Sequence, residues 1–280
     1  MSIVRWATTG SNPSAIAIDN AGNVYITNNK TNNVSKVTPN GTSTILGTTG
    51  ASPRGITIDN AGNVYTANNK TNNVTKITPN GTSTILGTTG SNPFGIAIDN
   101  AGNIYTANIM ANNVSKIRPN GTSTILGTTG TTPVGITIDN AGNIYTTNFG
   151  SDNVSKITPN GTSTILGTTG SRPYGIAIDN AGNIYTANYD AMSVSKITPN
   201  GTSTILGSTG NSPIGITIDN AGNIYTTNYY ADNVSKITPN GTSTILETTG
   251  SRPSGIAVDN AGNIYTANYL SNTVTKITTR

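Results

Sequence analysis

A 40-residue pattern runs seven times through this 280-residue chain with no insertion or deletion. A period of that length constrains the fold more than any single residue does. Each copy must form one supersecondary unit that cannot bury its own faces, so the copies must stack on one another. All thirteen Pro fall at two positions of the frame. Seven of nine Lys hold another (Lys36 to Lys276), seven of ten Asp a third (Asp19 to Asp259) and seven of twelve Tyr a fourth (Tyr25 to Tyr265). The chain is therefore read as one domain, 1–280, although length alone would suggest two.

Each copy carries four short runs rich in Ile, Val, Thr and Tyr, too short for helices and without a 3.6-residue period. In one copy they are 174–178, 183–187, 194–198 and 202–206, here strands A, B, C and D. D-N-A-G-N joins A to B; its Asp can cap backbone N–H groups and its Gly supplies positive φ. P-N-G-T joins C to D, where Asn-Gly favours a tight turn. Four-stranded meanders at this period predict an all-β fold, a seven-bladed β-propeller of four-stranded antiparallel blades. Only 33% of residues are hydrophobic, so Thr and Tyr must share the packing, with their hydroxyls expected to be satisfied between blades. The ends are out of phase with the blades. Residues 2–7 stand where strand D belongs, and the chain stops just past a strand C. Residues 2–7 are thus expected to complete the last blade and close the ring, with the only Trp, Trp6, in place of the usual Leu at the seam.

Composition limits chemistry. With no Cys there is no thiolate site or disulfide, and with no His there is no imidazole base or ligand. No apolar run approaches the ~20 residues of a membrane helix, and the start lacks the pattern of a leader peptide. The compartment is not identified, beyond a cytoplasmic location as expressed. The N-G-T and N-V-[ST] segments match glycosylation acceptors, but the turns explain them.

The segments PYGIAIDNAGNIY (173–185) and SVSKITPNG (193–201), recurring at fixed offsets along the whole chain, resemble the NHL-repeat superfamily of propellers, closest to its virginiamycin B (streptogramin) lyase-like branch. The resemblance implies seven blades. It also implies a histidine base, an acidic partner and a bound magnesium. None of these carries over: there is no His, and the only Glu, Glu247, replaces a Gly near the end of a strand D. The chain is therefore expected not to be an enzyme, with no catalytic residue, no metal and no cofactor. The frame Asp residues are read as turn caps.

Seven internal copies show where the sequence is free to vary. One place is the D–A link, from SNPS (11–14) to SRPS (251–254); the other is the B–C loop, from NKTNN (29–33) to YLSNT (269–273). Meander parity puts both on one face, around the channel mouth. Apart from Trp6 and the strand-B Tyr set, every aromatic lies there, as do Met110 and Met192. The position after the strand-A Pro makes an inner ring of Ser14, Arg54, Phe94, Val134, Tyr174, Ile214 and Ser254. An outer crescent runs through Ile109, Phe149, Tyr189, Tyr229 and Tyr269, with Tyr230 beside it. Arg54, Phe94, Tyr174, Ile214, Phe149, Tyr189, Tyr229, Tyr230 and Tyr269 are the candidate ligand-binding residues. The same crescent position could instead pack between blades, and the polar Asn29 and Asn69 there favour exposure.

Net charge is +4. On the variable face, Lys30, Arg54, Lys70, Arg172 and Arg252 stand against Asp152, Asp190 and Asp232, too thin a surplus for phosphate binding. Nucleic acid and membrane are not expected as partners. A small ligand, glycan or peptide suits aromatics set among Asn, Ser and Thr, on a chain expected to be monomeric. The first reading is a non-catalytic propeller scaffold with a ligand- or protein-binding face. The second is a recently amplified or engineered propeller without a specific ligand, since strands alternate between ITI…YTT and IAI…YTA as if a two-blade unit had duplicated. A metal-dependent lyase or hydrolase is third.

Overall fold

The computed structural model describes residues 2–278; residues 1, 279 and 280 and the side chain of Glu247 lie outside that description. It is all β, with seven four-stranded antiparallel sheets. In the first blade, strands A to D are Pro13–Ile18, Val24–Asn28, Asn33–Val37 and Ser43–Thr48. Each strand A starts at the Pro itself, and the other bounds shift by a residue or two from the sequence reading. Successive A strands pack on one another around the axis, and D strands form the outer rim.

The ring closes as expected. Ser2–Thr8 is the outer strand of the last blade and pairs antiparallel with Thr273–Thr278, Ser2 opposite Thr278. Trp6 falls at the bulge between Arg5 and Ala7, where Leu46 falls in the first blade. Its ring lies 5.0 Å from Tyr265 and packs on the cluster of Val24, Ile26, Val37, Tyr265, Ala267 and Val274. That cluster joins the last blade to the first, so the Trp clamps the seam.

The core lies between blades. Tyr65, Ala67 and Val74 of one blade meet Ile96, Ile104 and Ile117 of the next, with Leu86 over them; the other joints follow this pattern, with Thr27, Thr147 and Thr227 at the Ala position and Trp6 for the Leu at the seam. The strand-B and strand-C isoleucines are fully buried, and each side chain contributes about 1.5–3 kcal/mol by leaving water. The hydroxyls correct one expectation, because most are satisfied inside their own blade. Tyr105 Oη donates to Asp99 at 2.9 Å, and Thr106 Oγ1 donates to the buried Asn108 at 3.0 Å. Only a few cross a joint, such as Thr147 Oγ1 to the Tyr174 carbonyl at 2.6 Å.

Candidate functional site

Strand A is innermost, so its first residues face the channel mouth. Close approach fixes their neighbours. A Cβ on Gly55 would meet the Phe94 carbonyl at 2.5 Å and Ile96 N at 3.1 Å on the next blade. Glycine at that position therefore lets adjacent A strands touch. All seven inner-ring residues line one cavity of about 210 Å³, with a ring of Ile16 and its copies beneath. Ser14 Oγ donates to the Arg54 carbonyl and Ser254 Oγ to the Ser14 carbonyl, each at 2.8 Å.

From the cavity wall the aromatics run outward in one unbroken series. Phe94 meets Tyr174 edge-on at 5.5 Å, and Tyr174 meets Phe149 at 6.1 Å and Tyr189 at 6.4 Å. Tyr189 meets Tyr230 at 6.5 Å, Tyr230 meets Tyr229 at 5.1 Å, and Tyr229 meets Tyr269 at 6.4 Å. Every aromatic singled out on this face is a member. Three guanidiniums lie over the arc: Arg54 on Phe94 at 5.5 Å, Arg172 on Phe149 at 5.4 Å, and Arg252 on Tyr229 and Tyr230 at 5.4 and 5.5 Å. Such stacking contributes about 0.5–2 kcal/mol per pair. Burial pushes the Tyr174 phenol above its ordinary pKa, with Arg54 pulling the other way; burial and the Tyr230 hydrogen bond also raise Tyr189. Both phenols are donors at neutral pH.

The candidate residues thus divide. Arg54, Phe94, Tyr174 and Ile214 line the cavity itself. Phe149, Tyr189, Tyr229, Tyr230 and Tyr269 extend the arc away from it, half-buried except for the exposed Tyr230. Ile109, in the crescent by position, makes no ring contact. The exposure inferred from Asn29 and Asn69 is corrected. Both are half-buried, and their side-chain amides reach the next blade, Asn29 to Ser52 Oγ at 2.7 Å and Asn69 to the Pro93 carbonyl at 3.2 Å. At Asn29, Asn69 and Phe149 the crescent position meets the next blade.

Three features of the face escaped sequence reasoning. Arg172 and Arg252 were counted only as charges, and they stack. Ser14 and Ser254, placed in the inner ring by position alone, also link adjacent A strands by hydrogen bonds. The third is backbone conformation. Fourteen non-glycine residues have φ between 47° and 60°, two per blade, all in the D–A and B–C loops. The opposite face meets the same need with Gly22, Gly41 and their copies. The left-handed pairs build a staple between blades: the side chain of one accepts from the backbone N–H of the other, as Asn32 Oδ1 does from Ser52 N at 2.8 Å. Asn272 does the same for Asn12 across the seam at 2.8 Å. Met192 stands at the accepting position in the fifth blade and has no oxygen to offer. The signal was in the sequence, as Asn or Asp at that position in six copies of seven.

On the far face each frame Asp is a turn cap, as expected. Asp139 accepts from Ala141 N, Asn143 N, Asn143 Nδ2 and Tyr145 Oη, all at 2.8–2.9 Å. The magnesium that the resemblance implies does not fit the mouth. Mg²⁺ takes oxygen ligands, carboxylates foremost, whereas among the described residues the only charge lining the cavity is Arg54. Among the described residues no three acidic side chains gather into a metal-holding group, and none of the helices needed to cross a membrane is present.

The sequence profile described as "Virginiamycin B lyase family" matches residues 2–192 and, in a second register, 86–280. Solved structures agree. Virginiamycin B lyase from Staphylococcus aureus superposes with a TM-score of 0.85 at 20% identity, over 98% of this chain and 97% of its own. A streptogramin B lyase gives 0.83 at 20% identity over 95% and 93%. A catalytically inactive variant of the S. aureus lyase, crystallised with quinupristin, gives 0.82 at 21% over 96% and 95%. Identities this low show the fold alone. No curated protein matches. The profile overturns the expectation that the chain is not an enzyme, because that expectation rested on the missing His, and the family it matches takes its name from an enzyme.

Proposed function

Since the chain belongs to the virginiamycin B lyase family, a seven-bladed propeller scaffold built around a channel mouth, we propose that its B–C/D–A face recognises a ligand at that mouth. A propeller of this family has been crystallised with quinupristin, so the scaffold is one that takes ligands. The observation that carries the reading for this chain is the continuity of the aromatic series, from Phe94 and Tyr174 in the cavity wall to Tyr269 at the loops. Loop drift would scatter rings; here seven rings from five blades touch in sequence. Aromatic surface with satisfied edges and adjacent guanidiniums suits a ligand with flat apolar faces and polar rims. The partner class is a small ligand, glycan or peptide.

The test is a glycan and peptide array probed with the full chain. A ligand found there should lose at least tenfold in affinity with Tyr174→Ala, about the effect of removing one stacked ring contact. Lys76→Ala, stacked on Tyr65 outside the cavity lining, should leave the affinity unchanged. Equal binding by both variants would place recognition elsewhere on the propeller.

A further inference from the structure

We propose that the central cavity takes a small aromatic carboxylic acid, its ring against Phe94 and Tyr174 and its carboxylate on Arg54. The proposal rests on the mouth being a ligand site and adds the class of ligand.

Taken in order round the axis, the inner ring is Ser14, Arg54, Phe94, Val134, Tyr174, Ile214 and Ser254. Polar and apolar members are not interspersed. Ser254, Ser14 and Arg54 form one continuous arc, and the four apolar or aromatic residues form the other. The cavity is amphiphilic across its diameter, which suits a ligand with one apolar and one charged end. Its volume of about 210 Å³ lies below the ~300–1,000 Å³ typical of drug-sized ligands, which limits the occupant to a single ring or so.

The charge is specific too. Arg54 is the sole ionised group in the lining, and no acid pairs with it among the described residues. Arg172, by contrast, is paired with Asp190 at 3.2 Å. A lone planar guanidinium matches a carboxylate through two parallel N–H bonds. One guanidinium also balances one negative charge, which favours a monoanion over a phosphate dianion. The Arg54 head is already 5.5 Å from the Phe94 ring centre, so a carboxylate held there sets its own ring beside Phe94. Phe94 and Tyr174 cross at 84° and together offer a face and an edge, the two aromatic packings preferred by ring quadrupoles. The serines leave this recognition to Arg54, because both hydroxyl protons are given to ring carbonyls and only lone pairs remain for a ligand.

The experiment titrates the full chain with benzoate, phenylacetate, benzamide and cyclohexanecarboxylate by calorimetry, on wild type, Arg54→Gln and Arg54→Lys. Benzoate or phenylacetate should bind; benzamide, which keeps the ring and loses the charge, should bind roughly tenfold more weakly or worse. Arg54→Gln should reduce the aryl acid to the affinity of benzamide, and Arg54→Lys, with charge but no fork, should fall between. Cyclohexanecarboxylate should be weaker than benzoate. Benzamide binding as well as benzoate, or Arg54→Gln leaving benzoate unaffected, overturns the aromatic-acid proposal while the ligand site stands. Silence of all four probes together with an array ligand lost in Tyr174→Ala has the same meaning. Silence of both the probes and the array removes the ligand site as well.

Discussion

Asn28 shows how much one residue decides in a repeat. In six blades a strand-B Thr donates to the buried Asn two residues on, as Thr106 does to Asn108. In the first blade Ile26 takes that place, and Asn28 Oδ1 is buried with no partner. An orphaned buried acceptor costs about 1–3 kcal/mol, which Ile26 offsets by its own complete burial. Thr106→Val should therefore lower stability by about 1–3 kcal/mol in thermal or denaturant unfolding, whereas Ile26→Thr should cost well under the ~2 kcal/mol or more typical of trimming a buried Ile. The frame Asp–Tyr pairs set the pH range. Burial pushes Asp139 up, but its four hydrogen bonds outweigh this and its carboxyl sits below the ordinary 3.8. Burial and the same carboxylate raise Tyr145 above its ordinary 10.0. A lowered carboxyl stabilises the fold above the unfolded pKa and loses that contribution as pH falls through the folded value. A raised phenol stabilises below its unfolded pKa and loses it as pH climbs through the folded value. With seven such pairs, the melting temperature should be level between about pH 5 and pH 9 and fall outside that window on both sides; Asp139→Asn should weaken the acid limb. Periodicity made the Asp and Tyr positions legible. It could not show that Ile26 leaves an orphan, because that depends on which hydroxyl reaches which amide.

At the scale of the element, strand D explains the one Glu of the chain. Gly127 approaches the next blade so closely that a Cβ would meet Ser163 Oγ at 2.6 Å, Ile157 Cγ2 at 2.8 Å and the Gly161 carbonyl at 3.2 Å. Two of these belong to the C–D turn and strand D of that blade. Glu247 holds the same position in the sixth blade, and the seventh has no C–D turn, because its outer strand comes from the N-terminus. The seventh blade keeps the strand-C Ile277 and an outer strand from Ser2–Thr8, so what the Glu position is spared is the contact with the turn glycine. Gly127→Ala should destabilise by about 1–3 kcal/mol through overpacking, and Glu247→Ala should change the midpoint little. The loop staples extend the same argument. Met192 at φ 47° supplies no acceptor, so Met192→Asn should add about 1 kcal/mol by restoring a bond to the Ser212 N–H at a position Asn adopts readily. Strand types, order and the closing strand were all readable from residue spacing. Of the staples only the accepting half, the recurring Asn or Asp, left a mark in the sequence; the donating half needs left-handed backbone at residues such as Thr132 and Arg172, where no propensity rule places it.

At the scale of the molecule, sevenfold sameness and local difference divide the labour. The frame supplies the joints between blades, and the departures from it, apart from Trp6, Ile26, Arg118 and Glu247, gather on one face. The grouping of those departures was legible from meander parity. Their contacts were not, because ring-to-ring distances depend on the radius of the closed ring. The seam at Asn272 and Asn12 is held by one such staple, by Trp6 and by the pairing of Ser2–Thr8 with Thr273–Thr278. Trp6→Ala should lower stability by about 1–3 kcal/mol, since the ring is half-buried, with hydrogen exchange accelerated first in the first and last blades.

The two ends of the described chain, Ser2 and Thr278, are partners across a single antiparallel pair. The ring therefore has no topological beginning. Joining the ends with a short linker and reopening the chain at any of the six P-N-G-T turns would give a circular permutant with the same four strands per blade. Each would close by the same outer-strand exchange at a different joint. Their stabilities would measure, joint by joint, how nearly equal the seven interfaces are.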